Sequence, residues 1–314
     1  MLALNLMLFL ASLFVLVKSA KHAVDYSSKI ARIFHISEFI VSFFIVSVIC
    51  VSPEATVSII SAIKGIPEFG LGTLLGSNVA DLSLVFGIVA LFSIKGISVK
   101  SGILKNDLFY LALLLVPLVL GFDGHLSRID GILLVLSGAV FFVTLSIKNR
   151  IRRKNFKKAK RQGCIKNLFL LAVSLTFIIA SAYYTVKFGV DFANDARIPP
   201  VLVALTIVAV GTCLPELIFS LKAVRAKHDE LALGDILGTV ITDATILVGV
   251  IVLIRPFDFN PMVIYVTGTM MFLAGALAVV FIKSGKVLSR KEGIYLLLFY
   301  AFSLIAEFVA SRIL

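Results

Sequence analysis

Two glutamates and two aspartates recur at matched positions along the chain. Glu54 and Glu216 each follow a proline, and an aspartate stands 27 residues after each of them, at Asp81 and Asp243. A fifth acid, Asp235, also lies in an apolar stretch, and we place the other thirteen of the 18 acids in loops or near helix ends. A charged side chain at the centre of a bilayer costs about 2.5–3.5 kcal/mol, so such acids mark ion pathways and binding sites.

The side chains around these acids favour a hard cation. No lysine or arginine lies in the same segments, so the acids must be protonated, hydrated or bound to cations. Ligand sets made only of oxygen select Na⁺, Ca²⁺, Mg²⁺ or Mn²⁺. Pro53 and Pro215 are expected to break their helices and free main-chain carbonyl groups as neutral ligands. Further hydroxyl and amide oxygens come from Ser52, Ser77, Asn78, Thr212 and Thr239.

The second half of the chain repeats the first at a constant offset of 162 residues. GTLLGSNVADLSLVFG at 72–87 aligns with GDILGTVITDATILVG at 234–249. Each copy is predicted to hold five helices, and an odd number inverts the second copy in the membrane. Transporters with inverted repeats bind their substrate at the repeat interface, near the middle of the bilayer.

The composition excludes most other classes of protein. Of the 314 residues 60% are hydrophobic and 15% charged, whereas a soluble domain is about 25% charged. Three scattered cysteines exclude a disulfide scaffold and C-x-x-C zinc sites. We predict an all-α polytopic membrane protein with ten transmembrane helices, and an interfacial helix or loop at 22–34. The ten predicted stretches are 2–17, 36–62, 70–93, 107–121, 129–147, 167–187, 199–221, 231–254, 261–282 and 293–311.

The basic residues predict the orientation in the cell membrane. Sorted by loop, 24 of the 30 lie on one side and six on the other, and ten of the 24 lie in the 148–166 segment. The positive-inside rule then puts this segment in the cytoplasm and both termini outside. We therefore divide the chain into a first repeat at 1–147, a basic cytoplasmic linker at 148–166 and a second repeat at 167–314. The net charge of +12 follows from topology, so the bilayer and not a nucleic acid is the expected partner.

Two motifs resemble a known family. GTCLPEL at 211–217 and GSNVAD at 76–81 resemble the two alpha repeats of the sodium/calcium exchanger family, within the cation/calcium antiporter superfamily. The resemblance implies a central site in which one glutamate of each repeat, here Glu54 and Glu216, binds Ca²⁺ in alternation with Na⁺. It also implies gating by sliding of the first and sixth helices. The remaining implied ligands are the acids Asp81 and Asp243 and the hydroxyl groups of Ser77, Thr212 and Thr239.

The first repeat departs from the family pattern. The family usually reads Gly-Thr-Ser-Leu-Pro-Glu, whereas this chain reads ICVSPE at 49–54, with Ser52 as a shifted hydroxyl. Thr73 and Asp235 stand where the family usually has the asparagine of a Gly-Asn pair. Asp81 resembles the potassium-dependent branch. These departures leave Na⁺, K⁺ and H⁺ open as coupling ions.

We predict a secondary antiporter that exchanges Ca²⁺ for Na⁺ by alternating access, acts as a monomer, is not an enzyme and holds no tightly bound cofactor. The alternatives are an H⁺- or K⁺-dependent exchanger for Ca²⁺ or another divalent cation, a cation channel and an intramembrane aspartyl protease. The protease alternative rests on LGD at 233–235, but Ala232 stands where that motif has glycine. Because protons compete with metal for carboxylates, Asp235→Asn is expected to weaken the pH dependence of transport.

Overall fold

The structure is built almost entirely from helices. The computed structural model describes residues 1–33, 50–93, 96–98, 107–148, 164–285 and 287–311. In the first half the helices are α1 (Leu2–Ile33), α2 (Ser52–Ile63), α3 (Pro67–Ala80), α4 (Phe86–Phe92), α5 (Asp107–Leu120) and α6 (Arg128–Lys148). In the second half they are α7 (Cys164–Ala196), α8 (Pro200–Val203), α9 (Ala209–Thr212), α10 (Leu214–Arg225), α11 (Asp229–Ile241), α12 (Val248–Ile254), α13 (Thr269–Gly285) and α14 (Arg290–Ser311).

Within the described residues, four π-helical segments connect or extend these helices. Asp81–Val85 joins α3 to α4, and Thr242–Leu247 joins α11 to α12 at the matching place in the second half. Ala204–Val208 joins α8 to α9, and Ile264–Gly268 leads into α13. π segments within helices are frequent at functional sites. Two of these four segments contain one of the repeated aspartates.

Seven helical runs in the described part of the chain are long and apolar enough to cross a membrane, and they lie on seven of the ten predicted stretches. They are Leu2–Ala23, Pro67–Phe92, Ile165–Ala196, Pro200–Arg225, Asp229–Ile254, Ile264–Lys283 and Arg290–Ala310. The stretches 107–121 and 129–147 correspond to the helices α5 and α6. In the remaining stretch, 36–62, residues 34–49 lie outside the described residues, as does most of the 148–166 linker.

The predicted interfacial segment at 22–34 is not a separate element. Helix α1 runs without interruption from Leu2 to Ile33. The sequence between Lys18 and Ile33 holds no glycine or proline, so nothing in it ends the helix. Of the two predicted alternatives, an interfacial helix or a loop, the structure excludes the loop for residues 22–33, because charge alone does not terminate a helix.

Two helical runs form the centre of the molecule. In the most apolar 18-residue stretch of each run, 83% of Pro67–Phe92 and 78% of Asp229–Ile254 is buried. The corresponding share is 22% for α1 and for α7. The helices α1 and α7 pack along each other at the side, where Phe9 stacks on Phe192 with ring centroids 6.2 Å apart. The two central runs carry the repeated aspartates Asp81 and Asp243, so the fold buries these two acids inside the helical bundle.

The short strands pair across the two halves of the chain. Ile97–Ser98 pairs antiparallel with Val287–Leu288, and His125–Leu126 pairs antiparallel with Phe257–Asp258. Each pair joins one strand of the first half to one strand of the second. The two pairs therefore tie the halves together at separate places.

Helix capping also repeats at the 162-residue offset. Before α6, the Ser127 amide and hydroxyl donate hydrogen bonds to the Asp130 carboxylate, at 2.8 and 2.7 Å. Before α14, the Ser289 amide and hydroxyl donate to the Glu292 carboxylate, both at 2.7 Å. Such caps satisfy main-chain groups that the first helical turn leaves unpaired.

Close helix contacts repeat at the same offset. A Cβ atom added to Gly131 of α6 would meet the Gly249 carbonyl of α12 at 3.0 Å. A Cβ atom added to Gly293 of α14 would meet the Gly87 carbonyl of α4 at 2.9 Å. Each contact joins a helix of one half to a helix of the other, as glycine permits by its lack of a side chain.

Candidate cation site

The two glutamates stand at the first turns of helices that begin beside an irregular residue. In the second half, Cys213 separates α9 from α10, and Pro215 and Glu216 follow in the first turn of α10. Pro215 has no N–H to donate to the carbonyl four residues earlier, which explains the interruption. In the first half, α2 begins directly after the turn residue Val51 and carries Glu54 in its first turn.

The five repeated or intramembrane acids are completely buried. Glu54, Asp81, Glu216, Asp235 and Asp243 each have 0% of their surface exposed. Both carboxylate oxygens of Glu54, Asp81 and Glu216 accept no hydrogen bond, and neither does Oδ1 of Asp243. Buried acceptors almost always accept a hydrogen bond in folded proteins, because a buried acceptor without one costs about 1–3 kcal/mol. These oxygens therefore fit a role in binding a positively charged species.

The acids act on one another as a single electrostatic cluster. The Glu54 carboxylate interacts with Asp81, Glu216 and Asp243. Asp235 interacts with Asp81 and Glu216, and it lies beside the Cys50 thiol. The sequence prediction placed these five residues in different helices; the structure brings them together in one electrostatic neighbourhood.

Hydroxyl and thiol groups of one half contact acids of the other. The Ser77 hydroxyl lies 3.2 Å from Asp243 Oδ2. The Thr212 hydroxyl lies beside the Glu54 carboxylate and donates its own hydrogen bond to the Ala209 carbonyl at 3.1 Å. Both contacts cross between the halves, so the cluster belongs to the interface of the two repeats.

Cys213 makes a similar bridge. Its thiol lies beside the Asp81 carboxylate and contacts the Ser77 carbonyl oxygen at 3.5 Å. Cys213 is the residue at which the helix is interrupted, so the interruption of α9 and α10 packs directly on α3 of the first half.

The other two predicted hydroxyl ligands differ in their surroundings. Thr239, the counterpart of Ser77 at the 162-residue offset, is fully buried on α11, and its hydroxyl oxygen has no hydrogen-bond partner. Ser52 is half-buried at the start of α2, where its main-chain carbonyl accepts a hydrogen bond from the Thr56 hydroxyl at 2.6 Å. Thr239 therefore resembles the acids, because it is buried and its oxygen has no hydrogen-bond partner. Ser52 differs from them because it is only half-buried.

The acids do not form a compact metal centre by themselves. Within the described residues, no group of three His, Cys, Asp or Glu side chains is arranged to hold a metal ion. Ca²⁺ takes six to eight oxygen ligands, which carboxylates alone rarely supply. Hydroxyl and main-chain oxygens between the carboxylates would have to complete any coordination shell.

Two buried side chains carry oxygen atoms that the sequence motifs did not single out as ligands. Asn78 Nδ2 donates to Met271 Sδ at 3.3 Å, and its buried Oδ1 has no partner, so this oxygen shares the unsatisfied state of the acids. Glu307, counted among the acids near helix ends, is only 4% exposed on α14. No sequence signal distinguished it, because its burial depends on distant helices.

Small residues let the central helices touch. A Cβ atom added to Gly76 of α3 would lie 2.3 Å from the Leu205 carbonyl oxygen in the Ala204–Val208 segment. One added to Gly72 would lie 3.0 Å from the Val201 carbonyl oxygen. The two backbones therefore approach closely at this glycine pair, and Gly76 fixes the position of the neighbouring ligand candidate Ser77.

Apolar helices long enough to span a bilayer surround a buried set of carboxylates drawn from both halves of the chain. This combination defines a multi-pass membrane transport protein for cations. The family model described as sodium/calcium exchanger protein matches residues 4–147 and 166–309. The chain belongs to the sodium/calcium exchanger family and is a cation antiporter of that family.

Individual relatives agree with this assignment. The chain is 27% identical to the sodium/calcium exchanger MaX1 of Methanosarcina acetivorans, over 98% of this chain and 99% of that protein. It is 30% identical to the inner membrane protein YrbG of Escherichia coli, over 81% of each. A solved structure of the sodium-calcium exchanger NCX_Mj, soaked with 10 mM Na⁺ and zero Ca²⁺, is similar with a TM-score of 0.72 and 26% identity. That match covers 97% of this chain and 99% of the exchanger.

Proposed function

We propose that this protein exchanges Ca²⁺ for Na⁺ across the cell membrane by alternating access. The observation that carries the proposal is the set of buried carboxylate oxygens without hydrogen-bond partners on Glu54, Asp81 and Glu216. A mobile cation that enters and leaves satisfies such oxygens in turn, whereas a permanent lysine or arginine partner would close the site. Oxygen donors of this kind suit Ca²⁺ and Na⁺.

The proposed ligands come from both halves of the chain. Glu54 and Glu216 supply the principal carboxylates, and the second pair of acids and Asp235 surround them. Hydroxyl oxygens and one amide complete the set. The proposed ligands are Glu54, Glu216, Asp81, Asp243, Asp235, Ser77, Thr212, Thr239, Ser52 and Asn78.

The proposed architecture is ten transmembrane helices in two inverted repeats, with 148–166 as a cytoplasmic linker and both termini outside. The family model's two matched ranges, 4–147 and 166–309, support a division at the linker. The strand pairs, helix caps and glycine contacts that recur between the halves support a duplication. Because one chain supplies both halves of the site, a monomer suffices for transport.

The test is Ca²⁺ uptake by the purified protein in liposomes. Radioactive Ca²⁺ uptake is measured with an outward gradient of Na⁺, K⁺ or H⁺, imposed one at a time. We expect uptake with the Na⁺ gradient and little with the others. Uptake driven by a K⁺ or H⁺ gradient alone would show that K⁺ or H⁺, and not Na⁺, is the coupling ion. Uptake without any opposing ion gradient would indicate a channel.

Matched substitutions test the site within the same assay. Glu54→Gln and Glu216→Gln keep the size of the side chain and remove the charged ligand, so each is expected to abolish Ca²⁺ uptake while the protein folds normally. Glu68→Gln, which changes an exposed glutamate at the start of α3, is the control and should retain uptake. Wild-type uptake rates in both single glutamine variants would contradict the assignment of these glutamates to the cation site.

A further inference from the structure

A sixth buried acid lies outside the central cluster. Glu307 is 4% exposed on α14, and its Oε2 atom has no hydrogen-bond partner. It stands four residues before the end of α14 at Ser311, or about 6 Å of helical rise. The Thr267 hydroxyl lies beside its carboxylate. Its counterpart at the 162-residue offset is Leu145, so this acid breaks the symmetry of the two halves.

Glu307 faces a small apolar cavity. The cavity lies between α14, the helical run formed by α8 and Ala204–Val208, and residues 262–267 before α13. Its walls include Val201, Leu205, Met262 and Val266. The centre of a water molecule has about 10 Å³ available to it, which is room for a single water. Among the described residues that line it, Glu307 and Thr267 carry the polar side chains.

These surroundings suit a proton better than a metal ion. Ca²⁺ needs six to eight oxygens, and this cavity offers one carboxyl and one hydroxyl group. The described residues of α8, of Ala204–Val208 and of 262–267 that line the cavity carry no titratable side chain. Tyr265 also lies in the last segment, but its phenol is not in the cavity wall and donates a hydrogen bond to the Phe122 carbonyl at 3.0 Å. On α14 itself the Tyr300 phenol interacts with Glu307 and also with Cys213. A carboxyl in this cavity therefore loses its charge most simply by binding H⁺.

One residue connects the cavity to the proposed cation site. Leu205 lines the cavity, and its carbonyl oxygen is the atom that a Cβ on Gly76 would meet at 2.3 Å. Gly76 precedes Ser77, whose hydroxyl lies 3.2 Å from Asp243. Ionisation of Glu307 would draw water into the cavity and press on Leu205. A displacement of Leu205 is transmitted to α3 because no side chain separates the two backbones.

We propose that Glu307 and Thr267 form a proton-binding site, on the side of the membrane where the chain ends, that controls the rate of cation exchange. In the proposed topology this side is external, so external pH regulates the exchanger. The inference rests on the proposed exchange activity. It adds a regulatory ligand, H⁺, at a place separate from the transported ions.

The experiment measures Na⁺-driven Ca²⁺ uptake in liposomes as the pH on one side changes and the pH on the other stays fixed. Orientation is established by protease access to the 148–166 linker. Coupling between two sites usually changes affinity fivefold or more, so we expect a change of about fivefold or more in wild-type uptake with pH on the C-terminal side. Glu307→Gln keeps the shape of the side chain and should remove this response while uptake persists.

Two further variants sharpen the test. Thr267→Val removes the hydroxyl that lies beside the carboxylate, so the pH at which uptake responds should differ from that of wild type. Asp123→Asn changes an exposed acid in the turn before α6 and should respond as wild type does. A Glu307→Gln response that superimposes on wild type would overturn the proposal, as would the same result for Glu307→Leu if the glutamine variant does not fold. Wild-type protein with no Na⁺-driven uptake at any pH would instead overturn the exchange activity.

Discussion

Gly76→Ala tests whether the contact between α3 and the Ala204–Val208 segment positions the site. The added Cβ atom would lie 2.3 Å from the Leu205 carbonyl oxygen and 2.9 Å from the Leu205 carbonyl carbon and Cα. The shortest of these distances is about 1.1 Å less than the 3.4 Å at which ordinary contact begins. Because the opposing atoms belong to the backbone, no rotamer change relieves the clash.

Two effects of this substitution oppose each other. Alanine favours a helix over glycine by about 1 kcal/mol, which would stabilise the protein. Overpacking a close contact costs about 1–3 kcal/mol, and a backbone clash belongs at the upper end of that range. We therefore expect net destabilisation of about 1–2 kcal/mol. A shift of α3 also moves Ser77 away from Asp243, so Ca²⁺ uptake should fall about tenfold for each 1.4 kcal/mol lost in the transporting state.

The assay compares three alanine variants for thermal stability and Ca²⁺ uptake in the same liposomes. Gly72→Ala meets the Val201 carbonyl oxygen at 3.0 Å and should have a smaller effect than Gly76→Ala. Gly189→Ala, on α7, meets ring atoms of Phe9 and Phe69 at 3.1 and 3.2 Å, which side-chain movement can relieve, and it serves as the control. Equal stability and uptake in Gly76→Ala and Gly189→Ala would refute the reasoning.

Two further predictions concern topology and Asp235, the acid of the second repeat whose counterpart in the first repeat is Thr73. Single cysteines placed in 148–166, in a background without other accessible thiols, should resist an impermeant reagent on intact cells, because the ten basic residues predict a cytoplasmic position for this segment. Ready labelling from outside would reverse the proposed topology. Asp235→Asn should preserve exchange and flatten its pH profile, measured with both sides at equal pH, because protons then compete with cations at one carboxylate fewer. Profiles that superimpose on wild type would place Asp235 outside the transport site.

The sequence by itself determined the class of protein and predicted the main residues of the candidate site. Membrane-spanning stretches can be recognised without tertiary information, because a bilayer requires a similar length of apolar sequence in every spanning helix. The duplication was visible because Glu54 and Asp81 keep their spacing in Glu216 and Asp243. The family followed from two motifs, and the family model confirms it.

Local patterns were less informative about where elements end. The charges at 22–34 suggested an interfacial segment, yet α1 continues to Ile33 because no residue there disfavours a helix. The prolines, in contrast, marked the start of α2 and α10 correctly, since a proline cannot donate the hydrogen bond of a helix interior. Steric rules act within a few residues, so sequence reveals them directly.

Tertiary structure alone decided which oxygens are buried without hydrogen-bond partners. It also decided which side chains of one half contact acids of the other half. Ser77 lies against Asp243 across 166 positions of sequence, and Cys213 lies against Asp81. Glu307 illustrates the limit most clearly: its position near the end of α14 suggested exposure, but walls from α8 and from residues 262–267 bury it. Burial of a side chain depends on the helices that pack around it, and those contacts arise between segments far apart in the chain.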